Sequence, residues 1–199
     1  MKTIAFQRTP GEPVIMPLRI DLIADSALVP YNRPVFLPDF ATQWNAVLYV
    51  AYRVSRLGKS ITPKFAPRYY DAVTLALRLI PSHLLAMLRN GYFPTGIGGV
   101  FDHCVALGQW MPLPEQDEPL VIEATGLSAT LTAQQTGIDQ VLSALSQFST
   151  LKMGDIIMPC HLPLAITPKP GTDFTATLSA EPVPPNSVRT IDMVTSPLF

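Results

Sequence analysis

Residues 136–157 read TGIDQVLSALSQFSTLKMGDII, and no other stretch decides the fold as firmly. Ile138, Val141, Leu142, Leu145 and Phe148 recur at spacings of three and four, which predicts a helix with one apolar face. Thr136 and Asp139 are placed to form a capping box at its start. Gly154-Asp155 then supplies a tight turn, and residues 155–158 continue as an apolar strand. A helix that runs through a tight turn into a strand predicts a helix packed on a sheet.

The rest of the chain extends that sheet. Its 199 residues suit one domain that buries roughly 70 per cent of its unfolded surface without disulfide or metal support. The 21 prolines are about twice the usual share and fall between apolar runs, which predicts many short strands broken by turns. Strands are expected at 46–54, 73–80, 120–124, 155–158 and 173–179, the last alternating Phe174, Ala176 and Leu178 with polar partners. A short helical connection is expected at 60–70, interrupted by Pro63 and Pro67, and a second short helix at 81–90 closed by Gly91. The class is therefore mainly β with a few helices (α+β). There is no internal repeat and no linker, so residues 1–180 read as a single domain and 181–199 as a proline-rich C-terminal arm, extended or disordered. The apolar residues Ile191, Met193, Val194, Leu198 and Phe199 would let that arm pack on a neighbour such as a second subunit.

Charge narrows the partners. A formal charge of −1, with 15 per cent charged residues and no Lys/Arg cluster, gives no footprint for nucleic acid or an anionic membrane. The first sixteen residues lack the apolar core of a secretory signal, and the longest apolar run, 46–52, is far below the roughly 18 residues of a membrane helix. A soluble cytoplasmic protein is expected. In that compartment Cys104 and Cys160 should be free thiols packed as small hydrophobes.

Several segments, in order, are similar to the fumarylacetoacetate hydrolase family. Asp25-Ser26-Ala27-Leu28 with Pro34 and Pro38 resembles its Ser-Ala-Leu segment before an extended Pro-rich strand. Residues 53–59, RVSRLGK, with Ala66 and Tyr70 beyond, resemble the strand and helix after the family's first pair of metal carboxylates. Phe101-Asp102, with Gly108 and Trp110, resembles its Lys-x-Phe-Asp strand, and Thr125-Gly126 stands at its Asn-Gly hairpin turn. Thr150-Leu151 and Gly154-Asp155 match its Thr-Leu-x-x-Gly-Asp element. The resemblance spans roughly residues 24–179. It implies a mixed β-sandwich roll in a homodimer, with Mg²⁺ or Mn²⁺ at the mouth of the roll. It also implies hydrolysis, decarboxylation or isomerisation of a 2-oxo or β-diketo acid, in which the cation stabilises the developing enolate.

The residues that would do this chemistry are missing. The family's Glu-x-Glu pair falls on Val47 and Tyr49, and its third carboxylate falls on Arg78, whose guanidinium stays protonated and repels a cation. Residues 45–53 contain no Asp or Glu, so no small shift of register restores the pair. The family's lysine aligns with Gly99, its Thr-Gly-Thr-Pro loop reads Pro159-Cys160-His161-Leu162, and its N-terminal His-x-x-Glu lid dyad has no counterpart. No bound cofactor is expected.

Arg78 interrupts the apolar run 75–80, and a buried guanidinium without a partner costs several kcal/mol. Either it pairs with an acid such as Asp71 or Asp102 or reaches water, or it fills the vacated cation space and binds a small anion through its fork. Tyr49, Asp102 and His161 are the other candidate binding residues. Replacement chemistry would rest on Arg78, His103 and His161, with His103 on the same strand face as Gly99 if that strand is regular. His103, Cys104, Cys160 and His161 have the composition of a zinc site without its spacing, and His83 reads as a surface residue. Three readings remain. One is a catalytically degenerate family member acting as a binding or scaffold subunit, paired with itself or with an active relative. Another is a hydrolase, decarboxylase or isomerase with a site rebuilt around Arg78, His103 and His161. The third is a metal-dependent family member whose carboxylates are misaligned, or an unrelated β domain.

Overall fold

The long apolar runs around 46–54 and 73–80 become the central strands of the protein, seen here in a computed structural model. Residues 1–115, 118–124, 126–169, 173–180 and 189–197 are described, with the backbone alone at 165, 173 and 189–197. In chain order, β1 (Thr3–Phe6), β2 (Ile20–Ile23), β3 (Leu28–Val29) and β4 (Val35–Leu37) precede β5 (Asn45–Val54), β6 (Tyr70–Ile80) and α1 (Ser82–Asn90). Then come β7 (Val105–Leu107), β8 (Met111–Pro112), β9 (Leu120–Ala124), β10 (Leu127–Leu131), α2 (Ala133–Thr136) and α3 (Ile138–Phe148). The order closes with β11 (Ile156–Ile166), β12 (Asp173–Ala180) and β13 (Arg189–Pro197).

One sheet runs β2-β1-β11-β5-β6-β7-β3, with β8 also on β6, and the second runs β10-β9-β12-β13-β4. β5 pairs antiparallel with β6 on one side and β11 on the other, while β1 joins β11 in parallel, so the sheet is mixed. Alternation gives the central pair two faces. Leu48, Val50 and Tyr52 of β5 meet Leu77, Leu75 and Val73 of β6 on one face, all buried in the core. Val47, Tyr49 and Arg53 meet Arg78, Ala76 and Ala72 on the other. The sheet is also curled. β2 and β6 are four strand spacings apart, roughly 19 Å if flat, yet Asp21 of β2 touches Arg78 of β6 at 2.7 Å. The mainly β class with a few helices is what the composition predicted, and the rolled sheet is what the resemblance implied.

Local differences have local causes. Ile138, Val141, Leu142 and Leu145 of α3 are buried, but Phe148 is exposed. The expected Thr136–Asp139 capping box is absent. Thr132 and Gln135 form one at the start of α2 instead, and Gly137, at φ 72, ends α2 and starts α3. The strand expected at 155–158 continues to Ile166 through Pro159 and Pro163, correcting the view that prolines fall outside the strands. Each proline lacks the N–H a ladder needs, and β11 shifts register against β5 between Ile157 and Cys160 and again between His161 and Ala165. Gly154, at φ 87, makes the tight turn before it, and buried Asp155 accepts from the backbone N–H groups of Lys2 and Lys152. Within the expected arm, Arg189–Pro197 is a strand paired with β12 and β4. Residues 181–188 and 198–199 lie outside the described residues, as does Thr125 of the expected hairpin turn. Gly126, at φ 83, lies in the link between β9 and β10.

Candidate functional site at the mouth of the roll

The positions singled out by their departure from the metal site stand side by side. Arg78 is the cross-strand partner of Val47, and Tyr49 lies two residues along the same face of β5. On the far flank of β5, His161 is opposite Tyr49, their rings edge to face at 5.7 Å. The segment expected to be a loop around His161 is thus part of strand β11, and the strand presents His161 to Tyr49. Tyr49 and Arg78 are each only 3% exposed.

Arg78 is held from across the roll. Its Nη1 donates to Asp21 Oδ2 at 2.7 Å and its Nη2 to the Gly98 carbonyl at 3.2 Å, while Nε has no partner. This corrects the expected partners. Asp71 is bound by Arg53 at 2.9 and 3.0 Å on the exposed surface, and Asp102 is exposed. Gln7 Nε2 also donates to Asp21 Oδ2, at 2.8 Å. Burial raises the Asp21 carboxyl, but the charge and hydrogen bond of Arg78 outweigh it and hold the group below the ordinary range. Burial likewise opposes the charge on Arg78, and Asp21 reverses that, so the guanidinium stays protonated. Tyr49 is pushed up by burial, against the pull of Arg78, and remains a neutral phenol.

Glycine closes the mouth. Gly99, where the resemblance places a lysine, lies in the 3₁₀ turn Gly96–Gly99, and a Cβ there would sit 2.2 Å from the Leu22 carbonyl oxygen. Its own carbonyl accepts the Ala24 N–H at 2.9 Å, so β2 and this turn are in backbone contact. Gly98 is less confined, its Cβ position 3.1 Å from the Leu85 side chain. Cys104 donates Sγ–H to the Gly98 carbonyl at 3.4 Å. Burial pushes its thiol up to about 11 despite Arg78, and burial pushes that of Cys160 up to about 12, so neither is a thiolate nucleophile at neutral pH.

The second histidine goes elsewhere. Phe101 and Asp102 precede β7 in a turn, not in a strand, and His103 has a left-handed φ of 64. His103 therefore does not share a strand face with Gly99. Its Nδ1 accepts the Phe36 N–H at 3.4 Å and its ring lies edge to face on Phe36 at 5.0 Å. With Asp102 and Arg33 it lines a separate surface cleft of about 480 Å³. Of the candidate residues, the fold brings together Tyr49, Arg78 and His161 and sets Asp102 and His103 apart. Sequence reasoning missed Asp21, Gln7 and Gly98. The signal for Asp21 was its place as an acid inside the alternating strand Ile20–Ile23.

A hard divalent cation needs several oxygen ligands, preferably carboxylates. Here the expected positions give an alkyl group, a neutral phenol and a guanidinium; Asp21 is bound to Arg78, and Glu12, near enough to His161 to feel its charge, accepts the Thr9 N–H at 2.8 Å. Among the described residues, no three His, Cys, Asp or Glu side chains are placed to hold a metal ion. The residues present do not fit Mg²⁺ or Mn²⁺.

No known family profile and no curated protein sequence matches the chain. Solved structures do. Fumarylpyruvate hydrolase from Pseudomonas aeruginosa, solved with Mn²⁺ and pyruvate, is 14% identical with a TM-score of 0.77, covering 98% of this chain and 90% of that one. A Yersinia pestis protein described as of the fumarylacetoacetate hydrolase family is 18% identical, TM-score 0.76, covering 98% and 92%. The 5-carboxymethyl-2-hydroxymuconate delta-isomerase of Mycobacterium smegmatis is 17% identical, TM-score 0.77, covering 100% and 79%. The fold of this chain is that of the fumarylacetoacetate hydrolase family.

Proposed function

We propose that the chain is a divergent member of this family that no longer carries out metal-dependent chemistry and serves as a binding or scaffold subunit, paired with itself or with an active relative. One observation carries the reading: a protonated guanidinium, that of Arg78, stands where the resemblance places a metal carboxylate, and the nearest acid is spent on it. A divalent cation entering there would meet like charge and find the nearest carboxylate, Asp21, already paired. An anion is no better served, because it would have to displace Asp21 from Arg78 Nη1. A rebuilt hydrolytic site would call on His103 beside His161, and the contact of His103 with Phe36 counts against it.

The test is Mn²⁺ titration followed by electron paramagnetic resonance, together with turnover of fumarylpyruvate, using the Pseudomonas aeruginosa hydrolase as the positive control. No stoichiometric Mn²⁺ and no turnover are expected. One bound Mn²⁺ per chain with hydrolysis would overturn the reading. Mass by light scattering, alone and after mixing with an active relative, distinguishes a homodimer from a mixed assembly.

A further inference from the structure

The core face of β5 and β6, opposite to Arg78, leads to a cavity of about 340 Å³ at the other end of the strand pair. Tyr52 and Tyr70 line it, their rings edge to face at 5.3 Å, together with the apolar side chain of Leu113. Three carboxylates, Asp139, Glu115 and Glu118, complete the lining, and no Lys, Arg or His is present among the described lining residues. Asp139 is the telling group. It is half-buried at the start of α3 and accepts the Tyr70 hydroxyl at 3.0 Å, which orients the carboxylate without neutralising it. Burial raises its pKa against that hydrogen bond; among the described residues no Lys, Arg or His acts on it, and beyond that bond only the partial positive charge at the first turn of α3 favours its ionised form. The other aspartates withdrawn from solvent, among the described residues, each have a cation: Arg78 for Asp21 and Lys2 for Asp155.

A half-open cavity lined by two tyrosines and an oriented carboxylate, with no cationic side chain among its described lining residues, has room for a positive group from outside. A metal ion is a poor candidate, because the three acids do not converge as ligands. An anion is repelled. We propose that this cavity binds a small organic cation, an ammonium on an apolar stem, with its charge against Asp139 and its stem over Tyr70 and Leu113. Aromatic rings and carboxylates both favour such a cation over a neutral molecule of the same shape. The volume is at the small end of ligand pockets, which suits a short stem. The cavity shares no residue with the mouth, so neither site's test bears on the other.

Protonated n-butylamine is the probe, and n-butanol its neutral isostere, each titrated into the full chain and followed by amide NMR. Butylammonium is expected to shift the amides of Tyr70, Leu113 and Asp139 and to bind on the order of tenfold or more tighter than butanol. Asp139→Asn should remove that advantage, whereas Asp25→Asn, which removes an exposed charge elsewhere, should leave it. Equal binding of butanol, equal weakening by the two variants, or shifts centred on Arg78 would each overturn the proposal. If Asp139→Asn does not fold, the comparison of butylammonium with butanol on the unaltered chain still decides.

Discussion

β5 and β6 carry two polar regions, on opposite faces and toward opposite ends, and the two treat charge in opposite ways. At the mouth, the buried cation Arg78 is matched from inside the molecule by Asp21, and glycine lets the backbone close over it. At the tyrosine-lined cavity, the half-buried anion Asp139 is oriented by a hydroxyl at the first turn of α3 and has no cationic side chain against it among the described residues. A buried charge met by its own chain stabilises that arrangement, whereas an unmatched one costs stability wherever no ligand is bound. The first pattern belongs to a structural lock, the second to a binding site.

The largest effect should come from unlocking the mouth. Asp21→Ala leaves Arg78 buried without an anion, and a loss of about 3 kcal/mol is expected, at the low end for such pairs because Asp21 is itself partly exposed. Urea denaturation reads it as a lower midpoint at unchanged slope. Adding Arg78→Met should recover most of the loss, since an apolar residue of similar length removes the uncompensated charge. If Asp21→Ala costs no more than a surface change, under about 0.5 kcal/mol, the mouth is not locked by charge.

Gly99→Ala tests the backbone half of the lock. Its methyl would fall 2.2 Å from the Leu22 carbonyl oxygen, so β2 or the 3₁₀ turn must move, at a cost of about 1–3 kcal/mol. Gly96→Ala in the same turn meets nothing within 4 Å and should cost well under that. Equal midpoints for the two variants would contradict the close approach.

The mouth was only partly legible in the sequence. Val47, Tyr49 and Arg78 were legible because strand alternation and an aligned motif place them without any knowledge of the curl. Asp21 was not, because it lies 57 residues from Arg78 and on a strand that reaches it only when the sheet rolls up. Periodicity describes one strand at a time and does not reveal that closure. Asp71 looked the better partner by proximity in sequence, but Arg53, its neighbour across the strands, had taken it. His103 failed for a different reason: a left-handed backbone in a turn breaks the alternation that would have faced it toward the mouth. The helix α3 and the strands β5, β6, β9 and β12 were legible because their apolar spacing is long and regular. The extent of β11 was hidden by prolines that it absorbs as bulges.

The two regions should also part on pH. The folded pKa of Asp21 lies below its ordinary value of 3.8. Its contribution to stability is therefore full above that value and is lost as the pH falls through the lower folded value. Asp139 is shifted upward from 3.8, so it costs nothing below that value, and its penalty grows as the pH rises through the folded value. Asp21→Asn should accordingly flatten the acid limb of a stability profile measured by urea midpoints. An unchanged acid limb would mean that Arg78 does not depend on an ionised Asp21.

The smallest effect is the most diagnostic of the second region. Asp139→Asn keeps an oxygen to accept the Tyr70 hydroxyl and removes only the charge. Without ligand and above the raised pKa, it should therefore be neutral or stabilising, by about 0–1 kcal/mol. The gain should vanish as the pH falls through that pKa, where the wild-type carboxyl becomes neutral too. Saturating butylammonium should reverse the order, because a ligand that binds only the folded chain stabilises it in proportion to its occupancy. A substitution that helps the empty protein and harms the occupied one separates a binding charge from a structural one. If Asp139→Asn instead costs as much as Asp21→Ala, Asp139 is part of the fold's own charge balance and the contrast between the two faces fails.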